Sequence, residues 1–172
     1  MLTHNHLDHN GAIPILVKNG YSSEIYTSLP TSHLLEISYR DSLNIFKERF
    51  AKKNHKLMPY SSHDMEKTLS QIVPVEYEHS VYLDKDKNVK ATFFNNGHIV
   101  GAALILVEIK SPTLGECINL LFTGDYNTRN NFIDLKDLPE WIYKLENLTI
   151  VTEATYGTTN SSDIVEEWED HI

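Results

Sequence analysis

Hydrophobic and polar positions change period along this 172-residue chain, and the changes mark an alternation of helices and strands. Residues 10–19 read as a short helix, with Pro14 early enough to be tolerated in a first turn and Gly20 closing it. Glu24-Ile25-Tyr26-Thr27-Ser28 reads as a strand. Thr31 or Ser32 is placed to cap a long helix to about Lys53, with Leu34, Leu35, Ile37, Ser38, Leu43, Ile45, Phe46 and Phe50 along its apolar stripe. Ser62 is placed to cap a further helix from His63 to about Ile72, and Glu66 fits a capping box only if Asp64 or His63 is the cap. Residues 75–82, 89–95, 102–110 and 117–122 then read as successive strands, with turns at 84–88 and 111–116. Leu148 to Thr152 is a last buried strand, and Asp163 with Glu166 three residues on opens a terminal helix. The pattern is that of one α/β domain without internal repeats.

Chemistry concentrates at the start, in Thr3-His4-Asn5-His6-Leu7-Asp8-His9. A neutral imidazole offers a nitrogen lone pair to a metal, and a carboxylate adds charge and a hard oxygen donor. If Leu2-Thr3 ends a strand, His4 and His6 share one side by the period-two alternation. Asp8 and His9 then lie at the turn into a helix, within reach of a second ion. A purification tag or surface cluster is the plain alternative, but tags are runs of histidine, and here Asn, Leu and Asp are interleaved. The string His-Asn-His does not point to HNH nucleases, whose motif spreads over a longer ββα unit. Three later residues fall at predicted strand ends, where loops are held by a rigid sheet. They are His98 after Gly97, Asp125 after Gly124, and Glu153 before Ala154-Thr155-Tyr156-Gly157.

In order, these segments resemble the motifs of the metallo-β-lactamase superfamily. Residues 4–9 look like its second motif, His-x-His-x-Asp-His; Asn96-Gly97-His98-Ile99-Val100-Gly101-Ala102-Ala103 looks like the third, and Leu121-Phe122-Thr123-Gly124-Asp125-Tyr126 like the fourth. Val151-Thr152-Glu153-Ala154-Thr155-Tyr156-Gly157 is similar to the signature that opens the β-CASP branch of nucleases. Tyr39-Arg40-Asp41-Ser42, Pro59-Tyr60 and Asp64-Met65-Glu66-Lys67-Thr68 are like the cleavage and polyadenylation specificity factor type of that branch. The resemblance covers nearly the whole chain.

The resemblance implies an αββα sandwich, a mixed sheet with flanking helices, present here in part. Residues 1–157 would be a partial metallo-β-lactamase domain lacking its N-terminal strands, and 158–172 the start of a helix leading toward a missing β-CASP cap. It implies two zinc ions. One would take His4, His6 and His98, the other Asp8, His9 and a histidine not in this chain, with Asp125 bridging. Asp8 would have a second, catalytic role in holding or deprotonating the attacking water, and Glu153 would orient a later histidine. The implied activity is RNA processing by phosphodiester hydrolysis, with RNA as the partner of the complete protein. Alternatives are another hydrolase of the fold, acting on thioesters or small phosphoesters, or an inactive truncated relative. Asn5 and Asn96 depart from the smaller residues common in the family, and are expected to crowd the cleft or to face solvent. Thr158-Thr159-Asn160 follows Gly157 without the basic or histidine residues often found there.

Composition changes this picture little. A 41% hydrophobic content suffices for a core, and no apolar run approaches the ~20 residues of a membrane span. Met1 is not followed by the basic start and apolar stretch of a signal peptide, so a cytoplasmic protein is expected. Cys117 is alone, which excludes a disulfide framework and predicts a small, partly buried side chain. Fifteen Lys and Arg against 24 Asp and Glu give a net charge of −9, which argues against a large nucleic-acid-binding face on this part. The basic stretch of Lys47, Arg49, Lys52, Lys53 and Lys56 reads as a solvated helix end. His33, His55, His63, His79 and His171 have no ligand spacing. Alone, the chain is expected to be poorly active and able to self-associate as a homo-oligomer through an uncovered sheet.

Overall fold

The computed structural model describes residues 1–50, 58–111, 115–128, 132–133, 136–155 and 157. The chain enters in extended form: Leu2 N–H donates to Tyr26 O at 2.9 Å, and Thr3 O accepts from Ala103 N–H at 2.9 Å. Leu2 and Thr3 form no strand of their own, unlike the strand end anticipated there, but both bonds fix the direction in which His4 leaves. Two short helices follow, α1 (Leu7–Asn10) and α2 (Ile13–Lys18), the second with Pro14 in its first turn. Strand β1 (Ile25–Ser28) runs directly into the long helix α3 (Leu29–Phe50).

The start of α3 lies earlier than Thr31 or Ser32 because Ser28 supplies the cap. Its Oγ accepts from Thr31 N–H at 3.3 Å, and Pro30 in the first turn needs no partner for a missing N–H. The buried face of α3 is Thr31, Leu35, Tyr39, Ser42 and Leu43, which recur at helical spacing. Ile37, assigned to the stripe from the sequence, is instead 67% exposed. Helix α4 (Ser62–Ser70) is capped by Ser61 rather than Ser62. Its box partner is Asp64, whose carboxylate accepts from Ser61 N–H while Asp64 N–H donates to Ser61 Oγ.

Ending α4 at Ser70 frees Ile72–Val75 to form β2, parallel to β1 from Ile25↔Ile72 to Ser28↔Val75. Pro74 is tolerated there because β2 pairs on one side only. The single strand expected over 75–82 is therefore two. A turn at Glu76 to His79, with Glu78 at φ 64°, separates β2 from β3 (Ser80–Tyr82). β4 (Val89–Asn95), β5 (Ala103–Lys110), β6 (Cys117–Phe122) and β7 (Leu148–Val151) complete a mixed five-stranded sheet in the order β3-β4-β5-β6-β7. Its pairs are antiparallel except β6 with β7.

Period-two alternation divides β4 and β5 between two cores. Ala91, Phe93, Ala103, Ile105 and Val107 face the β1–β2 sheet and pack with Val75 and Tyr26. Phe94, Leu106 and Leu121 face the other way, onto Ile142 of a 3₁₀ turn (Ile142–Lys144) with Leu138 and Leu145. A third cluster joins Leu2 to Leu35, Tyr39, Leu43, Tyr60 and Met65 of the α3–α4 layer. The described chain is thus layered as helix, small sheet, large sheet and a short outer segment, the α/β mixed-sheet architecture expected. β7 is less covered than the sequence suggested: Ile150 and Val151 are 56% and 48% exposed. Cys117 is exposed rather than partly buried, at the start of β6. The helix expected from Asp163 lies outside the described residues.

Candidate metal centre

The centre forms where the extended entry segment, the β4–β5 loop and the turn after β6 converge. His4 is fully buried, and its Nδ1 lies 3.1 Å from Thr3 Oγ1, which leaves Nε2 for the cleft. That Nε2 lies 3.0 Å from His6 Nδ1, and His98 Nε2 lies 3.1 Å from the same His6 nitrogen. Asp125 Oδ2 is 3.7 Å from both His4 Nε2 and His98 Nε2. One donor atom from each of His4, His6, His98 and Asp125 falls within 4.8 Å of all the others.

Two more candidate donors adjoin this group, and the His9 ring packs on that of His4 with centroids 4.1 Å apart. The other oxygen of Asp125, Oδ1, meets one of them, at 3.4 Å from His9 Nε2, and His9 Nε2 is 3.5 Å from Asp8 Oδ2. Helix α1 carries Asp8 and His9 in its first turn, immediately after the extended segment that bears His4 and His6. Asp8 is well exposed, with 78% of its side chain accessible, while His9 and Asp125 are half-buried. Of the six residues singled out as ligands from the sequence, His4, His6, His98 and Asp125 converge most tightly, His9 adjoins Asp125 Oδ1, and Asp8 joins them through His9 at the exposed edge.

The donor set fits a metal. Bonds of about 2.0–2.1 Å in tetrahedral geometry place neighbouring donors about 3.3 Å apart, inside the range of separations found here. Three imidazole nitrogens with a carboxylate oxygen are a borderline-soft set that suits a transition-metal ion. Protonation would compete with such binding, and the site opposes protonation. Burial, then the neighbouring His9 and His6, pushes His4 down to about 4. Burial followed by His6 lowers His98 as well. Both imidazoles keep a lone pair free at neutral pH.

Glu153 stands at the rim. Its carboxylate accepts from Tyr126 N–H at 2.9 Å, next to Asp125 in the chain, and a hydrogen bond with Thr155 holds it below the usual carboxylate range. It touches no ligand side chain among the described contacts.

Gly124 turns the chain at φ 57°, so close to the entry segment that a Cβ there would sit 2.9 Å from Thr3 Cβ. Gly101 O accepts from the Ser28 hydroxyl and, at 2.8 Å, from Thr31 Oγ1, tying the β4–β5 loop to the start of α3. The two departures noted in the sequence neither crowd the cleft nor face solvent. Asn5 bridges Ser38 Oγ at 2.7 Å and Asn10 Nδ2 at 2.8 Å, clipping the ligand segment to α3. Asn96 is buried and bonds to Thr123 O, Asp125 O and His98 N–H. Nothing in the residue type announces these bonds, since Asn before Gly reads equally as turn chemistry.

Residues 1–140 match the metallo-beta-lactamase superfamily domain. The chain belongs to that superfamily. The family expected from the ordered motifs is thus the one shown, and metal ions are implied for the cleft. Transcription termination factor FttA of Methanosarcina mazei is 34% identical over 94% of this chain, which spans 23% of that protein. The Integrator complex subunit 11 homolog of Dictyostelium discoideum is 28% identical over 92% of the chain and 20% of its own length. The protein named Probable RNase MJ4, from Methanocaldococcus jannaschii, is 27% identical over 94% of the chain and 35% of its own length. The chain therefore spans about a quarter of the length of the curated relatives it matches. Among the described residues, no helix is long and apolar enough to cross a membrane.

Proposed function

We propose that the protein carrying this chain is a zinc-dependent RNA-processing nuclease of the β-CASP branch, with residues 1–157 a part of its metallo-β-lactamase domain. One observation carries the reading: Asp125 turns one carboxylate oxygen to His4 and His98 and the other to His9. His4, His6, His98 and Asp125 would hold one ion, and Asp8 and His9, beside Asp125, a second. A pair of bridged cations suits in-line displacement at phosphorus, where charge develops on attacking and leaving oxygens together. When bound, zinc supplies Lewis acidity and lowers the pKa of water toward neutrality.

The chain's own residues do the rest. His4 and His98 stay neutral and so remain ligands at neutral pH, as burial dictates. Asp8, exposed at the cleft mouth beside His9, would have a double role, as a ligand and as acceptor of the proton of the attacking water. Glu153, ionised and anchored on Tyr126 N–H, is placed to orient a group at the rim. RNA as substrate is supported by the relatives, one named an RNase and another a termination factor. The net charge of −9 leaves the main phosphate contacts to other parts of the protein. A cytoplasmic location accords with a lone cysteine, exposed and unpaired in a disulfide.

The test is cleavage of labelled RNA by the purified full-length protein, before and after removal of metal by a chelator and readdition of zinc. Chelator-sensitive cleavage that zinc restores is expected. Turnover of a thioester or lactone with no cleavage of RNA or DNA would instead identify another hydrolase of the fold.

A further inference from the structure

The two loops that bring His98 and Asp125 to the cleft are joined by one buried carboxamide. Asn96 is 4% exposed. Its Nδ2 donates to Thr123 O at 2.9 Å and to Asp125 O at 2.7 Å, the carbonyls on either side of Gly124. Its Oδ1 accepts from His98 N–H at 3.2 Å, beyond the Gly97 turn. Its own carbonyl accepts from Asn127 N–H at 3.0 Å. Both ends of the side chain are used, and each end reaches a segment bearing a different candidate ligand.

We infer that Asn96 is a positioning residue, which sets the spacing of His98 and Asp125 and thereby the affinity of the cleft for its metal. The inference rests on the metal-centre reading above. An alanine in its place would fill part of the volume but make none of the three side-chain bonds. Two carbonyls and one N–H would then lose their partner, and the turns that present His98 and Asp125 would be free to move apart. Groups behind the ligands commonly account for a 10–100-fold range in metal affinity. A buried asparagine that merely fills space would lower stability without acting on the ions. Asn119 provides that comparison: it is as buried as Asn96, and its Nδ2 donates to Glu146 O at 2.8 Å, on β6 away from the ligands.

The experiment uses the full-length protein as wild type, Asn96→Ala, Asn96→Ser and Asn119→Ala. Zinc affinity is measured by competition with a chromophoric chelator, the cobalt d–d spectrum is recorded at saturation, and thermal denaturation is followed without metal. Asn96→Ala is expected to weaken zinc binding about 10–100-fold and to alter the cobalt band, with Asn119→Ala within about twofold of wild type. Should Asn96→Ala fail to fold, Asn96→Ser, which keeps one hydroxyl, is held to the same comparison. Affinity and cobalt spectrum unchanged in the Asn96 variant, or shifted no more than in Asn119→Ala, would overturn the inference alone. A wild-type protein that binds no metal would overturn the metal-centre reading and this inference with it.

Discussion

His98 Nε2 lies 3.1 Å from His6 Nδ1 although 92 positions separate the two residues in the chain. Closing a loop of that length costs about 4 kcal/mol by the logarithmic term alone. A single contact between two imidazoles returns little of this, so the sheet must hold them together. It does so through the backbone bond from Ala103 N–H to Thr3 O, which locks the start of β5 to the residue before His4. The candidate ligands are thus held near one another by the fold itself.

Removing a ligand should therefore empty the cleft while leaving the fold. His6→Ala in the full-length protein is expected to lose zinc binding by more than tenfold and RNA cleavage with it, because His6 Nδ1 is the atom nearest both His4 and His98. Metal analysis after gel filtration, with a circular dichroism spectrum of wild-type shape, checks this. Wild-type zinc content in the variant would contradict it.

Glu153 is predicted to act on rate rather than on binding of metal. Its carboxylate accepts from Tyr126 N–H and makes no contact with the ligand side chains. Glu153→Gln keeps size and one acceptor but removes the charge. It should lower kcat about tenfold or more, with zinc content and melting temperature near wild type. Parallel loss of zinc would assign Glu153 to the ligand set instead.

Metal-free protein should lose stability on mild acidification. Burial, then His9 and His6, lowers His4 from 6.5 to about 4. Between those values the unfolded chain binds a proton on this imidazole and the folded protein does not. Stability from the neutral imidazole is present above pH 6.5 and falls as pH drops toward about 4, by up to about 1.4 kcal/mol per unit. Urea unfolding at about pH 7.5 and about pH 5, each with and without His4→Gln, isolates the contribution. An identical pH slope in the variant would refute it.

Gly101→Ala should destabilise the junction of the β4–β5 loop with α3. Gly101 takes φ 88°, and a Cβ there would lie 2.5 Å from Thr31 Oγ1 and 2.6 Å from Thr31 N. Backbone cannot retreat as a flexible side chain would, so a loss of about 1–3 kcal/mol is expected by thermal or urea denaturation. A melting temperature within a degree or so of wild type would show that the loop has room to shift.

The residues that carry this account were visible in the sequence to unequal degrees. His4, His6, Asp8 and His9 lie within one short segment, so their nearness was legible even though the strand end anticipated at Leu2-Thr3 does not form. β4, β5 and β6 matched the apolar runs within a residue, since both of their faces pack and the runs are long. β2 was hidden because Pro74 and the end of α4 disguise a strand that exists only by pairing with β1. Ser61 and Ser28 were missed as caps by one and by three or more positions, because several hydroxyl residues stand side by side and tertiary context selects among them. Asn96 left no trace of its role: its partners are main-chain groups, two of them 27 and 29 residues away.

The most direct measurement is anomalous diffraction at the zinc edge from crystals of the full-length protein. Two peaks are predicted, on either side of the Asp125 carboxylate, one about 2.0–2.2 Å from donors of His4, His6 and His98, the other at the same distance from Asp8 and His9. A single peak away from Asp125, or none in protein that cleaves RNA, would contradict the two-metal account.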